Sequence, residues 1–148
     1  MNYGLYLLQT FWQRVARNKM FLLMLGGAIG TYLRYLIGTW VGTQTWGREF
    51  PYGTLIINVS GSFILAVAFV IIKERLPPEH DYLFLLIGTG FCGGFTTFST
   101  FEWETYQLAR LHSWSLALAN VLGSVVAGFL GVVLAILMVN WVFPEAPR

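Results

Sequence analysis

Four stretches of this chain are long and apolar enough to cross a lipid bilayer, and nothing of water-soluble composition separates them. A helical span needs about 20 mostly apolar residues. The stretches are 20–41, 53–72, 82–108 and 114–142; Arg34 is the only charge in the first, and the second and fourth have none. Soluble domains carry about 25% charged residues. This chain carries 11%, with 56% hydrophobic residues and a mean hydropathy of +0.63, so water cannot be its main solvent. The net charge of +2 forms no basic stripe and argues against nucleic acid. The single cysteine, Cys92, excludes an internal disulfide and a multi-cysteine metal site. Segment 20–148 therefore reads as one all-α membrane domain, with Trp40, Trp46, Trp114 and Trp141 near the span ends, where amphipathic rings favour the interface.

Residues 1–19 are a separate leader. A signal peptide places its basic residues before its apolar run, whereas here Arg14, Arg17 and Lys19 follow Leu5, Leu8, Trp12 and Val15. Those four apolar positions share one helical stripe, which predicts an amphipathic helix lying on membrane lipid. Lys and Arg outside the spans divide six to two, with Arg14, Arg17, Lys19, Lys73, Arg75 and Arg148 on the N-terminal side against Arg48 and Arg110. That bias favours a cytoplasmic N-terminus. Without the leader the division is three to two, so the core is nearly indifferent to its orientation.

Polar groups inside a bilayer are costly and mark function or packing. Gly26, Gly30, Arg34 and Gly38 recur every four residues and so share a helix face. Small residues there permit close packing. Arg34 then faces protein or a wet vestibule and favours anions, unless it snorkels from the end of the span. Thr54, Asn58 and Ser62 form a strip of hydrogen-bond donors on the second span, and Asn120 and Ser124, continuing as Gly128, form another on the fourth. Such strips serve equally as glue between helices or as a track for an anion.

The third span carries Gly93-Gly94-Phe95-Thr96-Thr97-Phe98-Ser99-Thr100-Phe101, in which paired glycines precede β-branched and hydroxyl residues, all poor helix formers. A half-helix followed by a break is predicted. A break in hydrocarbon strands carbonyls and amides, which is tolerated only inside protein or beside water. Stranded carbonyls can hold a small hard cation, and with no carboxylate beside them sodium suits better than magnesium or calcium. Phe98 and Phe101 share a face, and the positive edges of their rings can line an anion path; core packing is the plain alternative for such a pair.

GGFTTFSTF at 93–101, preceded by Gly90-Phe91-Cys92, resembles the signature of the CrcB/Fluc fluoride channel family. The second-span run from Tyr52-Gly53-Thr54-Leu55 through Asn58 to Gly61, and Gly30 through Arg34-Tyr35 in the first, resemble the same family in the same order, over about residues 20–142. The resemblance implies an antiparallel, dual-topology homodimer in the bacterial inner membrane, with two narrow fluoride pores and a central sodium ion that is not transported. On this sequence the main-chain carbonyls of Gly93 and Thr96 would hold the sodium. Phe98 and Phe101 would form the phenylalanine box, with Asn58, Ser99, Thr100 and Ser124 along the polar track. Arg34 matches the vestibule arginine and Glu104 the acidic residue after the signature. The fourth helix departs from the pattern, with Asn120 where a tyrosine is expected and Gly128 where a hydroxyl would extend the track.

Rival classes fare less well. A dual-topology, proton-coupled multidrug exporter has similar length, but it needs a carboxylate within a span, and the only candidates, Glu102 and Glu104, lie toward the end of the third. An enzyme needs a nucleophile–base or metal set, and His80 and His112 lie in polar connections without ligand partners at helical spacing.

Overall fold

A computed structural model of the chain describes residues 3–4, 10, 18–44, 49–111 and 113–144. The leader lies almost wholly outside the described residues, as do Trp46, Arg48, His112 and Arg148. The described chain is helical, with four segments long and apolar enough to cross a membrane: Lys19–Thr43, Tyr52–Arg75, Pro78–Leu111 and Trp114–Val142. It is a multi-pass membrane protein by the length and composition of these helices.

Helix α1 is Lys19–Thr43, and Asn18 caps it, its Oδ1 accepting from Phe21 N at 3.0 Å. Helix α2 is Tyr52–Arg75, α-helical to Ala68 and wound in wider turns over Phe69–Arg75. The third span has two halves. Helix α3 runs from the Pro78–His80 turn through Asp81–Phe84, Leu85–Cys92 and Gly93–Phe95, and helix α4 is Phe98–Leu111. Helix α5 is Trp114–Val142, capped by the Ser113 hydroxyl, which accepts from Leu116 N at 3.1 Å. Trp40, Trp114 and Trp141 are exposed close to span ends, in keeping with interfacial belts.

The glycine row of α1 decides how α3 packs. A Cβ at Gly26 would collide with Leu86 O and Phe91 N, and one at Gly30 with Phe91 O and Phe95 N. Gly94 returns the contact, since its Cβ would stand 2.5 Å from Gly27 O. The two backbones therefore touch directly. Between helices in lipid the hydrophobic effect offers little, so this contact area supplies much of the adhesion. Helix α5 packs on α2 in a similar way, with Gly131 against Val59 and Gly128 toward Ser62.

At the end of α2, Arg75 ties that helix to α5. Its guanidinium donates to Phe143 O, to Val139 O at 3.5 Å and to Asn140 Oδ1. These acceptors cluster at the C-terminal end of α5, where a cation suits the helix dipole. Lys73 pairs with Asp81 at 2.7 Å across the turn, but both ends are partly exposed and the pair contributes little.

The crossing supplies a test. Gly30→Val forces two backbones apart and should cost about 1–3 kcal/mol or more of stability, as overpacking does. Gly42 faces open space, so Gly42→Ala should leave stability almost unchanged. Thermal unfolding in detergent compares them, and equal midpoints would show that the close approach is not required.

Candidate functional site

Helix α3 continues through Gly93 and Gly94, both of which were expected to lie in the break. Gly93 is ordinary right-handed helix at φ −63°, ψ −37°. Gly94 serves the approach to α1 instead, while a Cβ at Gly93 would meet nothing. Helical geometry stops at Phe95, Thr96 is extended at φ −78°, ψ 159°, and helix resumes at Phe98. Thr96 still reaches back, its N and Oγ1 both donating to Cys92 O at 2.9 and 2.8 Å.

Asn58 on α2 holds the interruption. Its Oδ1 accepts from Thr97 N at 2.8 Å and its Nδ2 donates to Thr97 O at 3.1 Å. One side-chain amide thus replaces both hydrogen bonds that a continuous backbone would have given Thr97. Thr97 is 8% exposed, so without Asn58 two buried main-chain groups would go unpaired. Thr97 Oγ1 in turn caps α4, accepting from Thr100 N at 3.3 Å and donating to Thr100 Oγ1 at 3.0 Å, with Ser99 Oγ at 3.5 Å.

This arrangement leaves two kinds of free backbone group. Because Thr97 N goes to Asn58 and Thr100 N to Thr97 Oγ1, the carbonyls of Gly93 and Thr96 receive no backbone hydrogen bond. At the start of α4, the amides of Phe98 and Ser99 have no partner among the described residues. Among the described residues, carbonyls before the short interruption and amides after it are thus both left without backbone partners.

A cavity of about 420 Å³ adjoins it, lined in part by Asn58, Ser62, Gly93, Thr96, Thr97 and Phe98. Phe98 is 73% exposed and Phe101 only 7%, with ring centroids 5.9 Å apart and planes at 42°. Ser99, Thr100 and Glu102 are also exposed, an unusual face for a helix within a span.

The remaining sequence candidates scatter around this centre. Ser124 is half-buried and makes no hydrogen bond among the described residues. Asn120 is 2% exposed and donates through Nδ2 to Thr105 Oγ1 at 2.7 Å, so one of its two N–H groups is committed to α4. Thr54 lies beside the Glu104 carboxyl, whose Oε2 is buried without a partner. Arg34 is half-buried on α1 and has no partner among the described residues. The two polar strips do approach one another, at Ser62 and Gly128, but Ser62 Oγ donates to its own helix at Asn58 O, 2.8 Å away. Sequence reasoning missed Thr105, whose hydroxyl sits at the centre of a relay; no spacing rule marks a lone threonine as a partner.

Asn58 yields a prediction. Asn58→Asp keeps the acceptor, loses the donor and sets an oxygen against Thr97 O, whereas Asn58→Ser keeps one donor of shorter reach. Each unpaired main-chain group should cost about 1–3 kcal/mol. Thermal unfolding should therefore rank wild type above Ser above Asp, and a variant series without effect on the midpoint would remove the clamp.

Comparison with known proteins bears on this geometry. Residues 21–136 match the family model described as CrcB-like protein, Camphor Resistance (CrcB). The chain is 47% identical over 114 residues to the "Fluoride-specific ion channel FluC" of Solibacter usitatus, covering 77% of this chain and 92% of that one. It is 49% identical over 109 residues to the protein of that name from Roseiflexus sp., covering 74% and 86%. The Chloroflexus aurantiacus protein of the same name is 39% identical over 124 residues, covering 84% and 97%. With the model spanning most of the chain and such relatives matched nearly end to end, this protein belongs to the CrcB family.

Proposed function

We propose that this chain is a fluoride-selective channel that lets fluoride leave a bacterial cell passively across the inner membrane. The observation that carries the reading is the interruption at Thr96 and Thr97, beside a cavity lined by Asn58, Ser62, Thr96, Thr97 and the Phe98 ring. Fluoride is small and holds its water tightly, so a pore must replace that shell with dense donors. The Phe98 and Ser99 amides, the second N–H of Asn58 and the hydroxyls of Ser99, Thr100 and Ser124 are neutral donors. They attract an anion at several sites without trapping it as a fixed cationic cage would. Arg34 adds positive potential away from them, at a vestibule, and Glu104 with Thr54 stands beyond the phenylalanines. The names of the relatives support the choice of ion.

The working unit in this reading is an antiparallel homodimer. Exposed Ser99, Thr100 and Glu102 on a spanning helix support it, because lipid is a poor neighbour for them and a second copy a good one. Across the dimer axis, two copies of the Gly93 and Thr96 carbonyls would face one another. These carbonyls lack backbone partners and fit a sodium ion well, since a hard monovalent cation accepts neutral oxygen ligands. Bound there, the ion would supply positive charge that holds the two interruptions together.

Phenylalanine replacement tests the anion path. Phe98→Ile and Phe101→Ile keep bulk but lose the ring quadrupole. Fluoride efflux from reconstituted vesicles should fall strongly while the dimer persists on size exclusion. Unchanged efflux in both would reduce the pair to packing. A proton-coupled exporter would instead show transport that follows the pH gradient.

Sodium dependence is tested separately. Thr96→Ser retains the carbonyl and should retain activity. Vesicles prepared without sodium should lose fluoride efflux, and radioactive sodium should not cross with fluoride. Full activity in rigorously sodium-free vesicles, with the dimer intact, would remove the central site.

A further inference from the structure

Helix α4 carries both phenylalanines of the proposed path, and its main neighbour is α5. Between these two helices the described residues make one side-chain hydrogen bond, from Asn120 Nδ2 to Thr105 Oγ1 at 2.7 Å. Thr105 then donates to Phe101 O at 2.8 Å, one turn back along α4. The direction of this relay is fixed. A threonine hydroxyl has one hydrogen, and once that hydrogen is given to Phe101 O, the oxygen can only accept from Asn120. Asn120 is 2% exposed, so water cannot take the place of Thr105.

We infer that Asn120 and Thr105 are positioning residues that fix the rotation and depth of α4, and through it the placement of the Phe98 and Phe101 rings. Three features support a positional role over simple adhesion. The bond joins the buried face of α5 to the turn of α4 that bears Phe101, itself 7% exposed. Thr105 is itself tied to its own helix at Phe101 O, so a turn of α4 about its axis stretches the Asn120–Thr105 bond that crosses to α5. And α4 is cut off from α3 by the Thr96–Thr97 interruption, so its orientation is not inherited from the first half of the span. Asn58 pins the start of α4 through Thr97, and the Asn120 relay pins it two turns further on.

The functional half of this inference rests on the channel reading, and the test separates the two. Three variants are compared with wild type: Thr105→Val, Thr105→Ser, and Thr105→Val combined with Asn120→Leu. Two readouts are taken, fluoride efflux from vesicles and the ¹⁹F chemical shift of 4-fluorophenylalanine placed at position 98. Thr105→Val leaves a buried amide donor unpaired; efflux should fall about tenfold, as for a lost buried hydrogen bond, and the ¹⁹F signal should move. Thr105→Ser should restore both readouts. The double variant removes the stranded donor, so it should recover thermal stability while efflux stays low and the ¹⁹F signal stays displaced. Recovery of efflux and signal along with stability would reduce the relay to glue and overturn the inference, as would a Thr105→Val protein that matches wild type in both. If wild type itself passes no fluoride, the channel reading fails, and the ¹⁹F arm alone decides whether the pair sets ring position.

Discussion

An interrupted helix in the middle of a membrane is affordable only if something else completes its hydrogen bonds, and here that something is a single amide. Asn58 offers one donor and one acceptor at the spacing of a peptide group, and Thr97 N and O take both. A hydroxyl could serve only one of them well, and a carboxylate only the N–H. The rest of the site follows from this substitution. Once Thr97 N is turned toward Asn58, Gly93 O is released; once Thr97 Oγ1 caps Thr100 N, Thr96 O is released and the first amides of α4 stand open. Free acceptors and free donors thus come from one local rearrangement of backbone.

That rearrangement requires a firm floor, which the glycine crossing provides. Gly26 and Gly30 let α1 touch the backbone of α3 just before the interruption, and Gly94 touches Gly27 in return. Thr31 adds a hydrogen bond to Gly94 O at 3.4 Å. The last turn of α3 is therefore held between α1 and α2, while α4 leans on α5. The first half of the span is thus placed by backbone-to-backbone packing, and the second half by side-chain bonds from Asn58 and Asn120.

How much of this was legible in the sequence depends on what kind of information each feature carries. The spans were legible because bilayer thickness imposes a length, and apolar runs of that length admit few other fates. The second span was ended at residue 72, where charged residues begin, yet α2 continues through Lys73, Glu74 and Arg75 in wider turns so that Arg75 can reach the end of α5. Gly93 and Gly94 read as the break because glycine is a poor helix former. In lipid that propensity is overridden by the gain from close packing, and the helix gives way two residues later, where Thr96 is extended. Periodicity placed Asn58 and Asn120 on helix faces, but a face does not name a partner. Thr97 and Thr105 were chosen by the crossing of helices, which only the tertiary arrangement defines.

The hydrogen-bond inventory also bears on how an anion could be held at all in the proposed reading. Asn58 keeps only one N–H to offer, because its oxygen and the other N–H are bound to Thr97. Asn120 gives one N–H to Thr105 and is buried, at 2% exposed, and the Ser62 hydroxyl donates to its own helix. The donors left over are the amides at the start of α4, one N–H of Asn58 and the hydroxyls of Ser99, Thr100 and Ser124. Those at the interruption flank the exposed ring of Phe98. The amides lie at the positive end of the α4 dipole, which adds attraction without a titratable charge. A helix start favours any anion, so it contributes affinity but little discrimination. Selectivity must then come from how closely the remaining donors and ring edges can converge, a matter of distance that a larger ion cannot satisfy. In such a site the residues that hold α4 in place govern selectivity as directly as those that touch the ion.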